Sequence, residues 1–406
     1  MLSILLPVAG DLGRLPGRRR NVYKAGRSPF RRRRSHGRHS RLGGPGQRGG
    51  RRWPKRILIG FGALVLVLFL AAVASFGYVY SQLSSIPRMK VTSLSQSSRG
   101  GEDVLMVGSD SRSCVKTAAQ AKSFGSSKAV VGQRSDTIMI ARFLPSGKVE
   151  MLSIPRDTWL PIAGTTISAK INASFNYGPG DLVRTIQQNF HIPINHVVQV
   201  NFCGFPAMVN ALGGIYMDFP DPVRDAYTGL NVQKTGCQLV TGSEALALVR
   251  SRHLYYFSHG VWNYDGMSDF SRIQRQHAFF RALLSRIHSV MPNIFRLANF
   301  SSALVSGLRV DSGFSALSML SLGWRYHSLS QSSLYSSVLP TTEAVIAGQD
   351  ALLPAKGPDA TVISAFLAGD AGKFQAAVGL PARRIGLTSS SVITDKFKEP
   401  WNPYPC

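Results

Sequence analysis

Residues 57–80 (ILIGFGALVLVLFLAAVASFGYVY) carry no charge over 24 positions, and this run constrains the chain more than any other feature. As a helix rising roughly 1.5 Å per residue it spans about 36 Å, enough to cross a hydrocarbon core with some tilt. A core helix of a soluble domain would show a polar face, and none is present. Residues 1–56 hold 17 Lys and Arg against one acid, Asp11. That asymmetry predicts a cytoplasmic N-terminus and places everything after about residue 81 outside. Tyr78 and Tyr80 then fall at the outer interface. A cleaved signal peptide is the alternative, with Ala72 and Ala74 as its small residues, but the apolar run continues past them.

The formal charge of +26 suggests a nucleic-acid binder until it is located. Residues 1–56 supply +16 of it, and the other 350 residues hold 30 bases against 20 acids. The Arg-, Gly-, Ser- and Pro-rich tail has no apolar period and reads as a disordered cytoplasmic segment beside a membrane. A DNA-binding regulator acting through that arm would leave the outer region unexplained, so no nucleic-acid partner is expected. Outside the cytoplasm, Cys114, Cys203, Cys237 and Cys406 are free to form disulfides, and their spacing admits three full pairings.

Beyond a Ser-rich stalk at 81–101, strand and helix patterns alternate. Strands are expected over 103–108, 137–144, 148–154, 196–202 and 215–219, with a hairpin turn at Pro145 to Lys148. Helices are expected over 179–190 and 204–212, and after Thr241, where Thr241 and Glu244 form a capping box. The longest helix, 269–288, lines one face with Ile273, His277, Phe280, Leu284 and Ile287. Residues 338–354 read as one returning strand and loop, and 359–371 as a helix. Such alternation argues for α/β layers on a mixed sheet.

Acids and arginines cluster at the ends of these strands. Asp110 (GSDSR) follows the first strand and Asp136 (RSDT) precedes the next. Alone, each reads as a turn cap; together, two such carboxylates suit a hard divalent cation. Arg156 follows a strand in SIPRDT. Arg250 and Arg252 (VRSRH) share a face if extended, and Arg272, Arg275 and Gln276 (SRIQRQ) share a helix face. The guanidinium fork matches phosphate oxygens, which makes the arginines the stronger signal; a solvated face is the competing explanation. The chain has no P-loop, GxGxxG or GxSxG pattern, and His253, His259 and His277 read as structural or surface residues.

The ordered blocks GSDSR, RSDTIMI, MLSIPRDTWLPI, KINASFNYG, VNFCGFPAMVNALGGI, SEALALVRSRH and SDFSRIQRQHAFFRALL resemble the LytR-CpsA-Psr family over residues 103–284. The resemblance implies a three-layer α/β/α sandwich with a central mixed sheet over 102–375, preceded by one transmembrane helix and followed by a tail at 376–406. It also implies a hydrophobic tunnel for a polyprenyl chain. The implied activity is transfer of a glycopolymer phosphate from a polyprenyl-pyrophosphate carrier to a hydroxyl of peptidoglycan. Asp110 and Asp136 would hold Mg²⁺ (or Mn²⁺), and Arg156, Arg250, Arg252, Arg272, Arg275 and Gln276 the pyrophosphate. Asp110, Arg156 and Arg275 would serve catalysis, with Asp110 the candidate base. ALALVRSRH and TGLNVQKTGCQ look most like actinobacterial members, whose polymer would be arabinogalactan or a comparable wall glycan.

The chain departs from the family pattern in a Ser/Ala/Lys-rich insertion at 113–133. Cys203 and Cys237 both lie in the resembling region and are the expected disulfide. A non-catalytic polyprenyl-pyrophosphate-binding regulator is the competing reading; it would need the arginines but not the acid pair.

Overall fold

The computed structural model describes residues 53–96, 100–109, 135–290, 293–378 and 401–406. The basic tail as far as residue 52, the 113–133 insertion, Asp110 and Cys114 lie outside the described residues; the last four residues of the tail expected to be disordered, 53–56, are helical. Helix α1 (Trp53–Ser84) contains the uncharged run, and residues 57–84 are long and apolar enough to cross a membrane. Three residues later the chain enters strand β1 (Arg88–Met89).

The expected strands form β2 (Glu102–Ser109), β3 (Ser135–Phe143) and β4 (Val149–Ser153), then a small hairpin of β5 (Trp159–Pro161) and β6 (Ser168–Lys170). Helices α2 (Ile171–Ser174) and α3 (Pro179–Phe190), strand β7 (His196–Asn201) and helix α4 (Phe205–Ala211) follow. Next come strands β8 (Ile215–Phe219), β9 (Val223–Asp225), β10 (Leu230–Val232) and β11 (Gly236–Val240), and helix α5 (Gly242–Arg250), opened by the expected capping box. A hairpin of β12 (Tyr255–Ser258) and β13 (Val261–Tyr264) leads into the long helix α6 (Ser268–Val290). The remainder is α7 (Ile294–Gly307), β14 (Leu308–Asp311), α8 (Ala316–Arg325), β15 (Leu334–Val338), a hairpin of β16 (Thr341–Ile346) and β17 (Gln349–Pro354), α9 (Pro358–Ala368), α10 (Ala371–Val378) and β18 (Tyr404–Pro405). The stretch read as one returning strand is thus a strand plus a hairpin, because Ala347 and Gly348 both take positive φ and fold it back.

Seven strands in the order β1-β14-β7-β2-β3-β4-β15 make the central sheet. It is mixed: β2 runs antiparallel to β3, and β3 to β4, while β2–β7 and β4–β15 are parallel. Alternation along β2, β3 and β4 sends Leu105, Val107, Ile138, Ile140 and Leu152 to one face, against Leu182, Ile186, Val362 and Phe366 of α3 and α9. Met139, Ala141 and Met151 line the other face, covered by Phe280 and Leu284 of α6. The chain is therefore an α/β/α sandwich. A second core, under β8, β9 and α5, includes Trp401.

Two sequence expectations change here. The stretch expected as a stalk over 81–101 is packed on the domain over 83–95: Ile86 is 1% exposed, Val91 and Leu94 pack on the main core, and the Ser95 amide donates to the Ile194 carbonyl. Residues 401–406 are not a detached tail, since Trp401 is buried and β18 adds to the edge of β8. That return also corrects the disulfide. Cys237 is bonded to Cys406, not to Cys203. Both Cys237 and Tyr404 register with Asp218 of β8, so the C-terminal strand carries Cys406 to Cys237.

Candidate active site

The site grows from an irregularity in the sheet. Gly108 registers with Thr137 but Ser109 with Ser135, so Asp136 is an extra residue without a cross-strand partner. Such a bulge re-aims one side chain and breaks the ladder locally. Gly108 permits it, because a Cβ there would lie 3.1 Å from the Thr137 Cβ. Asp136 therefore leaves the pleat at the end of β3, and its carbonyl accepts a hydrogen bond from Arg272 Nη2 at 2.9 Å.

On the neighbouring strand, Pro155 ends β4 and a tight turn follows, with the Thr158 amide donating to the Pro155 carbonyl. Arg156 sits in that turn, and its Nη1 meets Asp136 Oδ1 at 2.5 Å. Its Nε lies 3.3 Å from Asp157 Oδ2 and 3.9 Å from Asp269 Oδ1. Lys170 meets Asp157 at 3.1 Å. From the other lobe, Arg252 places Nε 3.2 Å from Asp269 and Nη2 3.8 Å from Asp136. Arg272, one turn into α6, closes the group on Asp269 at 2.9 Å.

Four cations thus meet three carboxylates, with one positive charge in excess. Burial alone would lower the pKa of Arg156, but Asp136, Asp157 and Asp269 outweigh it and raise the value. Arg272 is the interior wall: burial, opposed by Asp269 and reinforced by Arg252, pushes it down to about 10, still charged at neutral pH. Arg156 and Arg252 remain 21% and 27% exposed and Lys170 24%, so these three cations face solvent while Arg272 does not.

The sequence-predicted residues divide. Asp136, Arg156, Arg252 and Arg272 converge. Gln276 bridges the Thr137 hydroxyl and the Val249 carbonyl behind them, both at 3.0 Å. Arg275 does not belong to the open site. It is fully buried, with Nη1 on Asp265 at 2.7 Å and Nη2 on the Ser251 carbonyl at 2.8 Å. Helical spacing put it on the same face as Arg272, but that face is turned inward. Arg250 ends a helix instead of sharing an extended segment with Arg252, and its guanidinium lies 5.0 Å from the Phe202 ring. His277 is buried against the Ser153 hydroxyl, and burial holds its pKa near 3, so it is neutral.

Three acids were missed. Asp157 adjoins Arg156 in SIPRDT, and Asp269 stands three residues before Arg272; both spacings were visible. Asp225 carried no signal. Its buried carboxylate accepts from the Ser251 hydroxyl at 2.5 Å and from the amides of Arg252 and His253 at 3.2 and 3.1 Å. Those bonds fix the turn that aims Arg252.

Among the described residues no group of three or more His, Cys, Asp or Glu could hold a metal ion. Mg²⁺ does not need one: it binds through one or two carboxylates plus substrate phosphates, keeping several waters. Asp136 supplies a hard oxygen donor, and its ion pairs both fall on Oδ1. The donor chemistry therefore fits such an ion, with Asp136 and Asp110 the residues that would hold it.

Comparison with known proteins identifies the family. The LytR_cpsA_psr family model matches residues 77–362. The probable cell wall biosynthesis protein LcpB of Corynebacterium glutamicum is 31% identical over 256 residues, covering 62% of this chain and 58% of the relative. The polyisoprenyl-teichoic acid–peptidoglycan teichoic acid transferase TagV of Bacillus subtilis is 34% identical over 191 residues, covering 44% and 46%. The match thus spans about half the length of these curated relatives. A LytR-Csp2A-Psr enzyme from Actinomyces oris superposes with a TM-score of 0.56 at 25% identity, over 69% of this chain and 95% of that one. The chain belongs to the LytR-CpsA-Psr family.

Proposed function

We propose that this protein transfers a wall glycopolymer, with its linking phosphate, from a polyprenyl-pyrophosphate carrier to a hydroxyl of peptidoglycan. The observation that carries the reading is the solvent-open pair Arg156 and Arg252 above Asp136 at the bulge. In the transfer, the acceptor oxygen attacks the phosphorus that bears the glycan. The bond from that phosphorus to the bridging oxygen breaks, and polyprenyl phosphate leaves with the electron pair. Arg156 and Arg252 take up the charge that develops on the leaving phosphate. Arg272 holds the bulge and Asp269 in place. Asp110 accepts the proton of the hydroxyl. A bound Mg²⁺ (or Mn²⁺) on Asp110 and Asp136 would add Lewis-acid stabilisation of the phosphoryl oxygens.

Helix α6 carries Arg272 at its start and Phe280 and Leu284 further along, over Met106, Met139 and Met151. Adaptable methionines suit a face that must admit a prenyl chain between helix and sheet. Packed side chains close this seam in the structure, so the tunnel implied by the resemblance would form as they move aside. The polymer is a wall glycan such as arabinogalactan, and α1 anchors the domain outside the membrane with the basic tail in the cytoplasm.

The test uses the full chain in detergent, a labelled glycan on a synthetic polyprenyl-pyrophosphate, and purified peptidoglycan. Asp136→Asn should reduce transfer by about a hundredfold, roughly 2.7 kcal/mol at the barrier, while carrier binding persists. Chelator should silence the wild type. Chelator-insensitive transfer would remove the cation from the mechanism, and an unimpaired Asn variant would remove Asp136.

A further inference from the structure

A sheet that covers a core with one face ordinarily turns polar side chains to water on the other. The four-stranded sheet β10-β9-β12-β13 departs from that pattern. Val223, Leu230 and Tyr256 face the core. The opposite face pairs Tyr255 with Tyr264 and Phe257 with Trp262 across the hairpin, and continues through Arg224 to Asn231. Tyr255, Phe257 and Tyr264 are 39%, 38% and 47% exposed.

The rings form a connected surface. Tyr227 packs tilted against His253 at 4.5 Å, His253 stacks on Tyr264 at 6.5 Å, and Tyr264 packs tilted against Tyr255 at 5.2 Å. Phe257 and Trp262 follow at 5.4 Å, with the Arg224 guanidinium 4.0 Å from the Trp262 ring centroid. One end of the surface is joined through the chain to the charged cluster: His253 follows Arg252, and Tyr255 lies within about 10 Å of Arg252 by chain length. Both ends of the hairpin are clamped. Asp225 holds residues 251–253, and Asp265 accepts from Arg275 Nη1 at 2.7 Å and the Ser271 hydroxyl at 2.8 Å.

We propose that this aromatic face is a glycan-binding platform that seats the sugar strand of peptidoglycan beside the transfer site. Pyranose rings pack their C–H faces on aromatic rings and bond their hydroxyls to groups such as Asn231, Arg224 and His253. A purely apolar partner would leave those polar groups unused. A cross-linked wall polymer has no free end to thread into a closed pocket, so its binding surface must be open, as this one is. The identity of the polymer rests on the transfer reading; the chemistry of the platform does not.

The test is co-sedimentation of the full chain in detergent with purified peptidoglycan sacculi, without carrier, at high salt so that the basic tail contributes little. Phe257→Ala with Trp262→Ala should weaken binding by about tenfold, and Phe257→Tyr, which keeps the ring, should retain it. Chitotetraose should quench tryptophan fluorescence in the wild type and less in the double variant. Unchanged sedimentation of the double variant would overturn the proposal, as would a shift confined to self-association in analytical ultracentrifugation. Absence of carrier-dependent transfer by the wild type, with its sacculus binding intact and weakened in the double variant, would count against the transfer reading alone.

Discussion

Strands β2, β3 and β4 carry an aspartate–arginine group at each end, and the two ends behave oppositely. At the open end, Asp136 and Arg156 pair at 2.5 Å with 23% and 21% exposure, among four cations and three acids. At the shut end, Arg142 lies between Asp103 and Glu150 across the strands, with one cation for two acids. Helix α9 seals it: Arg142 Nη1 donates to the Phe366 carbonyl at 3.1 Å and the guanidinium stacks on the Phe366 ring. Burial, offset only in part by Arg142, pushes both Asp103 and Glu150 up to about 7. The same residue types on the same strands thus yield a solvent-facing cationic cluster at one end and a proton-holding core at the other. Solvent access and the sign of the excess charge make the difference, not the side chains themselves.

Substitutions at the two ends should separate activity from stability. Arg156→Lys keeps the charge and loses the fork, so transfer should fall by about a hundredfold with the melting temperature unchanged. Retained transfer would move the anion elsewhere. At the shut end, Arg142→Met strands two acids without their cation and should cost about 3 kcal/mol of stability, read by denaturant melts, with transfer per folded molecule intact. Arg275→Lys should follow Arg142 and not Arg156, losing about 2 kcal/mol by the same mechanism. Poor transfer by a normally stable Arg275→Lys would return that residue to the site.

The smallest effect is a slope. The folded pKa values of about 7 stand above the ordinary carboxylate values of 3.8 and 4.5, so these carboxylates add stability in acid that is lost as pH rises through 7. His277 acts in the other sense: lowered from 6.5 to about 3, its share is complete above 6.5 and lost toward pH 3. The window from about pH 6.5 to 8 therefore isolates the carboxylates. Stability should decline across it, and Glu150→Gln should make the decline shallower. An unchanged slope would mean that Glu150 stays ionised when buried.

Legibility in the sequence follows the range of the interaction. Asp136, Arg156 and the capping box at Thr241 were readable because short spacing and strand ends determine them. Arg272 and Arg275 looked equivalent at i, i+3, and both are buried, yet one backs the charged cluster on Asp136 and Asp269 while the other is bonded to Asp265 and the Ser251 carbonyl; helical spacing gives direction but not partners. The Asp225 bonds to residues 251–253 and the Cys237–Cys406 bond, 169 residues apart, come from long-range closure that no local pattern encodes. The bulge at Asp136 belongs with these, since it needs the register of two strands. The aromatic hairpin was visible as composition, but only pairing across β12 and β13 showed that its rings share one face.

The joint between α1 and the sheet has a mechanical consequence. Leu83 and Ile86 are buried with Val310 and Phe314, Arg88 Nη2 donates to the Leu83 carbonyl at 3.0 Å, and only residues 85–87 separate helix from strand. With residues 57–80 in a bilayer, the domain rides on a stiff mast and not on a tether. Its height above the lipid would then be set by the dimensions of the domain, with no slack in the joint. A domain held in this way would stay in one stratum and cover area only by drifting laterally with its anchor.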